Sequence, residues 1–303
     1  MQRILVGFFV ATTLLLSSGC SSIIKSGEAK ISNSETTPQS EKQKSKPMSE
    51  HQAHSEKQKM DHSQHEEKPK TAITTQAKLT TPKNLTTNQP INLAIDIQDE
   101  TGKPVNKFDV FQEKIMHLIV VSNDLEHFDH LHPEYKENGS FQVSVNFPNP
   151  GEYTLFSDYK PAGQAEYISS TNLTIPGTVP LPKSLAKYEK TKTISDTKVN
   201  LNISEEKIKV GEEVSLTFDI KDNNNQPVKD LKPYLGEKGH LVIIKSSSTL
   251  SKSDYLHAHA MKNTPDGQVK FHTKFPQSGT YKMWMQFDRN GKIKTADFWV
   301  NVE

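Results

Sequence analysis

Hydrophobic and polar residues alternate strictly in two stretches of this chain. Ile91, Leu93, Ile95 and Ile97 are separated by polar or small residues, and Val214, Leu216, Phe218 and Ile220 by polar ones. Period-two alternation predicts strands with one buried face. The stretches INLAIDIQDETGKPV and VSLTFDIKDNNNQPV align without a gap, 123 residues apart. Each strand runs into a turn signal, Asp99-Glu100-Thr101-Gly102 or Asp222-Asn223-Asn224-Asn225. Further on, FPNPGEYTLFSDY from Phe147 aligns with FPQSGTYKMWMQF from Phe275. Gly151-x-Tyr153 and Gly279-x-Tyr281 predict a glycine turn into a late strand whose tyrosine closes a sandwich corner. Each repeat carries about seven short strands in about 100 residues, with no helical period. The pattern predicts an all-β chain of two tandem immunoglobulin-like β-sandwich domains, at 76–176 and 197–303. The segment 177–196 is expected to be a semi-rigid, proline-containing linker.

Two N-terminal stretches break this pattern. Ile4 to Leu16 is an apolar run behind Arg3, too short for a membrane span and suited to a signal peptide. It ends at Ser17-Ser18-Gly19-Cys20, and Cys20 is the one cysteine among the 303 residues. Small residues before that cysteine resemble a bacterial lipobox, although Ser17 stands where leucine is usual. Residues 1–20 are therefore read as a lipoprotein signal peptide, with Cys20 as the lipid anchor. This places the protein on the extracytoplasmic face of the cell membrane. Residues 21–75 are rich in Ser, Lys, Glu and Gln and cannot bury a core, which predicts a disordered tether. As a flexible coil it would span about 40 Å.

Composition narrows the function classes. The net charge is +1, and Arg3 and Arg289 are the only arginines. Lysine is a poor bidentate reader of phosphates and bases, so no nucleic-acid partner is expected. No serine or threonine sits in a recognisable nucleophile setting, and no phosphate-binding glycine loop appears. A cysteine spent on a lipid anchor leaves none for a thiolate ligand, which excludes a blue-copper site. No enzyme activity is expected.

Histidine carries the remaining chemistry. MHLIVVSNDLEHFDHLHP, from Met116, returns as GHLVIIKSSSTLSKSDYLHAHA, from Gly239. His117 matches His240, His130 matches His257, and His132 matches His259. The loop between them changes length: thirteen residues separate His117 from His130, and seventeen separate His240 from His257. A loop that varies between fixed histidines predicts that the histidines meet in space. Residues two apart in a strand point to one face, so His-x-His can grip one ion. Three neutral imidazoles suit copper, or alternatively zinc. Asp158 could supply a fourth position, and its counterpart Gln286 is a poorer ligand. Met283 and Met285 offer sulfur, but alternation from Tyr281 points them into the core. A structural reading competes with this one, because histidines at strand starts often bond only to backbone. His127 and His272 have no equivalents in the other copy and are expected to be surface residues.

The tether adds a biased patch, in which Met48 and Met60 precede His51-x-x-His54 and His62-x-x-His65. Its MDHSQH run resembles the Met-Asp-His-Ser repeats of bacterial copper-handling proteins. The domains themselves resemble the YtkA-like family of exported bacterial β-sandwich proteins. The residues that carry the resemblance are Met116-His117-Leu118, His130-Leu131-His132-Pro133 and Phe147-Pro148-x-x-Gly151-x-Tyr153, with their second copies. Ala260 stands where the first copy has Pro133. The resemblance implies the fold and, weakly, a function in the envelope.

Together these features predict an extracytoplasmic, lipid-anchored metal-binding protein, with His117, His130, His132, His240, His257 and His259 as ligands. Its role would be metal tolerance or delivery, with a transporter or chaperone receiving the metal. The alternative is a non-metal envelope module that binds a protein or polymer.

Overall fold

The computed structural model describes residues 74–181, 186–258 and 260–303, except for the side chain of His257. The expected signal peptide, Cys20 and nearly all of the expected tether, with its His/Met patch, lie outside the described residues, as does His259.

The first sandwich is built from β1 (Thr75–Thr80), β2 (Pro90–Asp99), β3 (Met116–Ser122), β4 (Phe128–Leu131), β5 (Glu134–Tyr135), β6 (Ser140–Asn146), β7 (Gly151–Tyr159) and β8 (Tyr167–Ile175). One sheet has the order β1-β2-β6-β5 and the other β4-β3-β7-β8. This is the A-B-E-D and C′-C-F-G arrangement of an immunoglobulin-like sandwich. The second sandwich contains β9 (Thr191–Ile194), β10 (Thr197–Ile203), β11 (Glu213–Asp222), β12 (Leu231–Lys232), β13 (His240–Lys245), β14 (Tyr255–Ala258), β15 (Gln268–Lys274), β16 (Gly279–Arg289) and β17 (Lys292–Val302). Its sheets are β15-β11-β10-β9 and a second in which β16 lies between β13 and β17. The end of the expected linker thus folds as a strand: β9 pairs with β10, Ile194 opposite Thr197.

Alternation builds the cores as the sequence implies. Ile91, Leu93, Ile95 and Ile97 are buried against Leu118, Val120, Phe141 and Leu155. Val214, Leu216, Phe218 and Ile220 do the same against Leu241, Ile243, Phe271 and Met283. Both tyrosine corners form. The Tyr153 hydroxyl donates to the Asn149 carbonyl at 2.8 Å, and Tyr281 donates to Gln277 at 2.8 Å.

One core substitution is reciprocal. Met116 is fully buried in the first sandwich, and Gly239 takes its place in the second. A Cβ on Gly239 would lie 2.8 Å from the Met285 methyl group. Met285 stands opposite Leu241, as Ser157 stands opposite Leu118. Large and small residues have exchanged strands, which keeps the local volume filled. Met283 and Met285 therefore belong to the core, as alternation indicates.

The two sandwiches belong to one compact unit. Strands β3 and β13 are buried on both faces, because their outward residues meet across the domains. Ile119, Val121, Leu125 and Phe156 pack against Val242, Ile244, Leu250, Tyr255 and Trp284. The contact is pseudo-symmetric. Phe128 stacks on Trp284 at 4.7 Å, and its counterpart Tyr255 stacks on Phe156 at 5.1 Å. Each C′ strand thus lends a ring to the F strand of the other sandwich.

Candidate metal centre

The same contact brings the histidines together. His117 is the second residue of β3 and His240 the first of β13, both on the outward face that Ile119 and Val242 continue. Their side chains are buried at the seam. His130 lies on β4, opposite Ile119 of β3. His117, His130 and His240 each present a ring nitrogen, all within 4.8 Å of one another. The first sandwich's histidines are therefore not a self-contained set: His240 from the second sandwich joins them. His257 occupies the equivalent place on β14, opposite Val242, but its side chain is outside the described set.

Each of the three rings meets an oxygen acceptor. His117 Nε2 lies 3.2 Å from the Phe111 carbonyl. His130 Nδ1 lies 2.7 Å from Gln286 Oε1, across the domain boundary. His240 Nε2 lies 3.1 Å from Gln112 Oε1, across the same boundary in the other direction. The Gln286 amide is oriented by its own Nε2, which donates to Thr295 Oγ1 at 3.3 Å. An oxygen acceptor requires N–H on the nitrogen that faces it, which fixes the tautomer of each neutral ring. The lone pairs then fall to Nδ1 of His117, Nε2 of His130 and Nδ1 of His240.

Two of those nitrogens, His117 Nδ1 and His130 Nε2, lie 3.1 Å apart. Two imidazole lone pairs at that distance repel unless a positive charge lies beside them. Two nitrogens bound at about 2.0 Å to one ion lie roughly 3 Å apart. Outer acceptors that hold ring N–H groups and turn the free nitrogens inward are the usual support around a metal-binding histidine.

His132 lies just beyond the end of β4, so the extended segment expected for His-x-His stops one residue short. Its ring still lies 4.9 Å from that of His130 and 5.1 Å from that of His117. Its Nε2 is buried without a hydrogen-bond partner. Burial, aided by the Lys114 charge, pulls its pKa down to about 4 and keeps it neutral. His132 stands beside the three-nitrogen group rather than within it.

Gln286, weighed above as a poor ligand, serves instead as an acceptor for His130, whereas Phe111 and Gln112 come from a place that the repeat pattern does not single out. Phe111 and Gln112 belong to a tight turn closed by Phe111 and Lys114, with Gln112 and Glu113 at positive φ of 46° and 64°. Both central residues are left-handed, which is the type I′ geometry. That turn holds the Phe111 carbonyl over His117 and carries Gln112 across to His240. The second sandwich has the same turn at Tyr234–Glu237.

The other described histidines lie elsewhere. His127 pairs with Asp129 at 3.1 Å. His272 lies on the sheet β15-β11, between Glu213 Oε1 at 2.9 Å and Ser215 Oγ at 3.3 Å. That order of groups matches a nucleophile, base and acid, but it stands on a partly exposed sheet face. A groove of about 820 Å³, lined by Asn123, Glu126, Tyr153, Gly177 and Val179 among others, opens at the far end of β3 from His117. None of the clustered histidines lines it.

Among known proteins, a family model described as a domain of unknown function, DUF8832, matches residues 71–174 and again 192–303. A search of curated proteins found no match. The Escherichia coli adhesin FdeC is 16% identical, covering 77% of this chain and 66% of its own, with a TM-score of 0.27. A mutant Salmonella alpha-2-macroglobulin is 12% identical over 75% of this chain and 14% of its own, with a TM-score of 0.26. Invasin, a bacterial integrin-binding protein, is 12% identical over 75% of this chain and 39% of its own, with a TM-score of 0.22. This chain spans less than two thirds of each, and scores this low carry no functional weight. The paired family matches cover the two sandwiches and most of the sequence: the chain belongs to the DUF8832 family.

Proposed function

We propose that this protein binds a late transition metal, copper before zinc, at one centre shared by its two sandwiches. The observation that supports this reading is the set of oxygen acceptors around the histidines. Oxygens of Phe111, Gln112 and Gln286 meet the three rings, and each ring presents one nitrogen within 4.8 Å of the other two. Imidazole suits copper and zinc better than hard cations. With no cysteine beyond Cys20, the centre offers no thiolate and so differs from a blue-copper site. Ligands are proposed to be His117, His130 and His240, with His132 adjacent. His257 and His259 stay in the proposal through their equivalence to His130 and His132.

The rest of the reading extends from sequence. A lipidated Cys20 would hold the protein on the extracytoplasmic face of the membrane, and the His/Met patch would pass metal to or from the centre. The role is metal tolerance or delivery rather than catalysis, with a transporter or chaperone as recipient. The resemblance to YtkA-like exported modules is compatible with that setting.

The test is titration of chelator-stripped, dialysed full-length protein with Cu(II), Cu(I) and Zn(II). Binding that is lost in His117→Ala, His130→Ala and His240→Ala supports the reading. Binding unchanged by all three overturns the site. No binding at all leaves the non-metal envelope module as the better reading.

A further inference from the structure

His117 and His240 are buried, so an ion reaches their nitrogens only past residues nearer the surface. His130 and His132 are half-buried, and the group meets solvent on their side. Both nitrogens of His130 are engaged, Nε2 with His117 and Nδ1 with Gln286. His132 differs. Its Nε2 is sealed from solvent and has no hydrogen-bond partner among the described residues. Its ring stands against those of His130 and His117, at 4.9 and 5.1 Å. Yet it is outside the set of nitrogens close enough to share one ion, as is Asp158, weighed above as a fourth ligand.

A buried polar atom without a partner is costly and calls for a reason. Backbone pairing does not supply one. The ladder of β3 and β4 ends at Leu131, opposite Leu118, and β5 starts only at Glu134. His132 lies between the two ladders, so its ring can swing toward the cluster without breaking a strand pair. With the proton on Nδ1, Nε2 offers a lone pair. We infer that His132 is the transfer ligand of the centre. It holds the ion during entry and exit, and stands aside once the ion rests on His117, His130 and His240. This rests on the metal reading above and adds the route of exchange. In entry, His132 Nε2 bonds the ion as a donor atom of the carrier lets go. The three resting nitrogens then bind, and the bond to His132 breaks. Exit reverses the order, and no electron is transferred.

A residue that acts only in passage lowers the barrier equally in both directions. Its removal slows uptake and release by one factor and leaves the affinity where it was. A resident fourth ligand behaves otherwise, since its removal speeds release and weakens binding. His132→Ala should slow uptake and release alike by about 10- to 100-fold, the range for residues just outside a ligand set.

The experiment is stopped-flow transfer of Zn(II) and Cu(I) between chromophoric chelators and full-length protein. Equilibrium titration and a melt in chelator accompany it. Wild-type protein that binds neither ion sinks the metal reading itself. Wild-type binding with His132→Ala rates unchanged, or with faster release and weaker affinity, overturns the transfer role and leaves the metal site standing. His132→Met keeps a soft thioether at the same place. It should restore fast exchange of Cu(I) and leave Zn(II) exchange slow at unchanged affinity, a signature that carries the test if His132→Ala does not fold. Cu(I) exchange as slow in His132→Met as in His132→Ala counts against the inference.

Discussion

His117 and His240 occupy the same position in the two repeats, and their rings stack on one another 5.9 Å apart with a 14° tilt. Equivalent residues meet in this way only near a pseudo-twofold axis. The two sandwiches therefore face each other through like surfaces, and the candidate centre lies where the like histidines meet. A duplicated chain has turned a repeated feature into a shared one.

If one ion is shared, a change in either sandwich should be felt by the same site. His130→Ala and His240→Ala should each lower affinity by more than about 100-fold, beyond the usual effect of removing an outer hydrogen-bond partner. Metal titration of the full chain would show this. Had each sandwich held its own ion, His240→Ala would leave tight binding in the first sandwich intact.

The outer acceptors can be tested without touching a ligand. Gln112 sits at positive φ in a type I′ turn, a position that asparagine tolerates well. Gln112→Asn should keep the turn but withdraw the oxygen from His240. Affinity should fall about 10- to 100-fold, while the melting temperature in chelator changes little. An unchanged affinity would remove Gln112 from the support of the centre.

His132 predicts how the metal-free protein responds to acid. Its folded pKa is lowered to about 4, mainly by burial, from an ordinary value of 6.5. Between these values the unfolded chain binds the proton and the folded chain does not. Stability from this group is therefore complete above about pH 6.5 and is lost as pH falls toward 4. His132→Gln should flatten that part of the profile, measured by thermal melts in chelator. A slope identical to wild type would mean that His132 is not the group responsible.

The apolar seam has its own test. Trp284 stacks on Phe128, and the Lys282 ammonium lies 5.5 Å from its ring while donating to the Leu125 carbonyl at 2.8 Å. Trp284→Ala should cost about 3–5 kcal/mol, as for other buried aromatic truncations. It should also weaken metal binding, because the docked arrangement holds His240 beside His117. Denaturant melts and titration on the same sample would reveal a loss of stability without a loss of affinity, if the two are uncoupled.

The tyrosine corners should behave independently of metal. Tyr153→Phe and Tyr281→Phe each remove a hydrogen bond to a backbone carbonyl, and Tyr153→Phe also removes the one its hydroxyl accepts from the Asn149 N–H, at a cost of about 1 kcal/mol per bond. The two effects should add in the double variant, since the corners lie in separate sandwiches. Chemical denaturation of the three variants checks this.

Local pattern determined the strands, the repeat, the corners and the inward place of Met283 and Met285, because alternation and turn chemistry act over a few residues. It also singled out six histidines, His117, His130, His132, His240, His257 and His259, of which the structure groups His117, His130 and His240. The continuous apolar runs HLIVV and HLVII differ from the alternation in β2 and β11, and they carry a signal that both faces are buried. What covers the second face is not a local matter. Only the tertiary structure decided that the covering surface is the other sandwich, that His240 joins His117 and His130, and that Gln112 and Gln286 cross to hold the rings. Those contacts join residues more than a hundred positions apart, through a docking geometry set by the complementarity of two whole sheet faces. No spacing along the chain encodes that geometry.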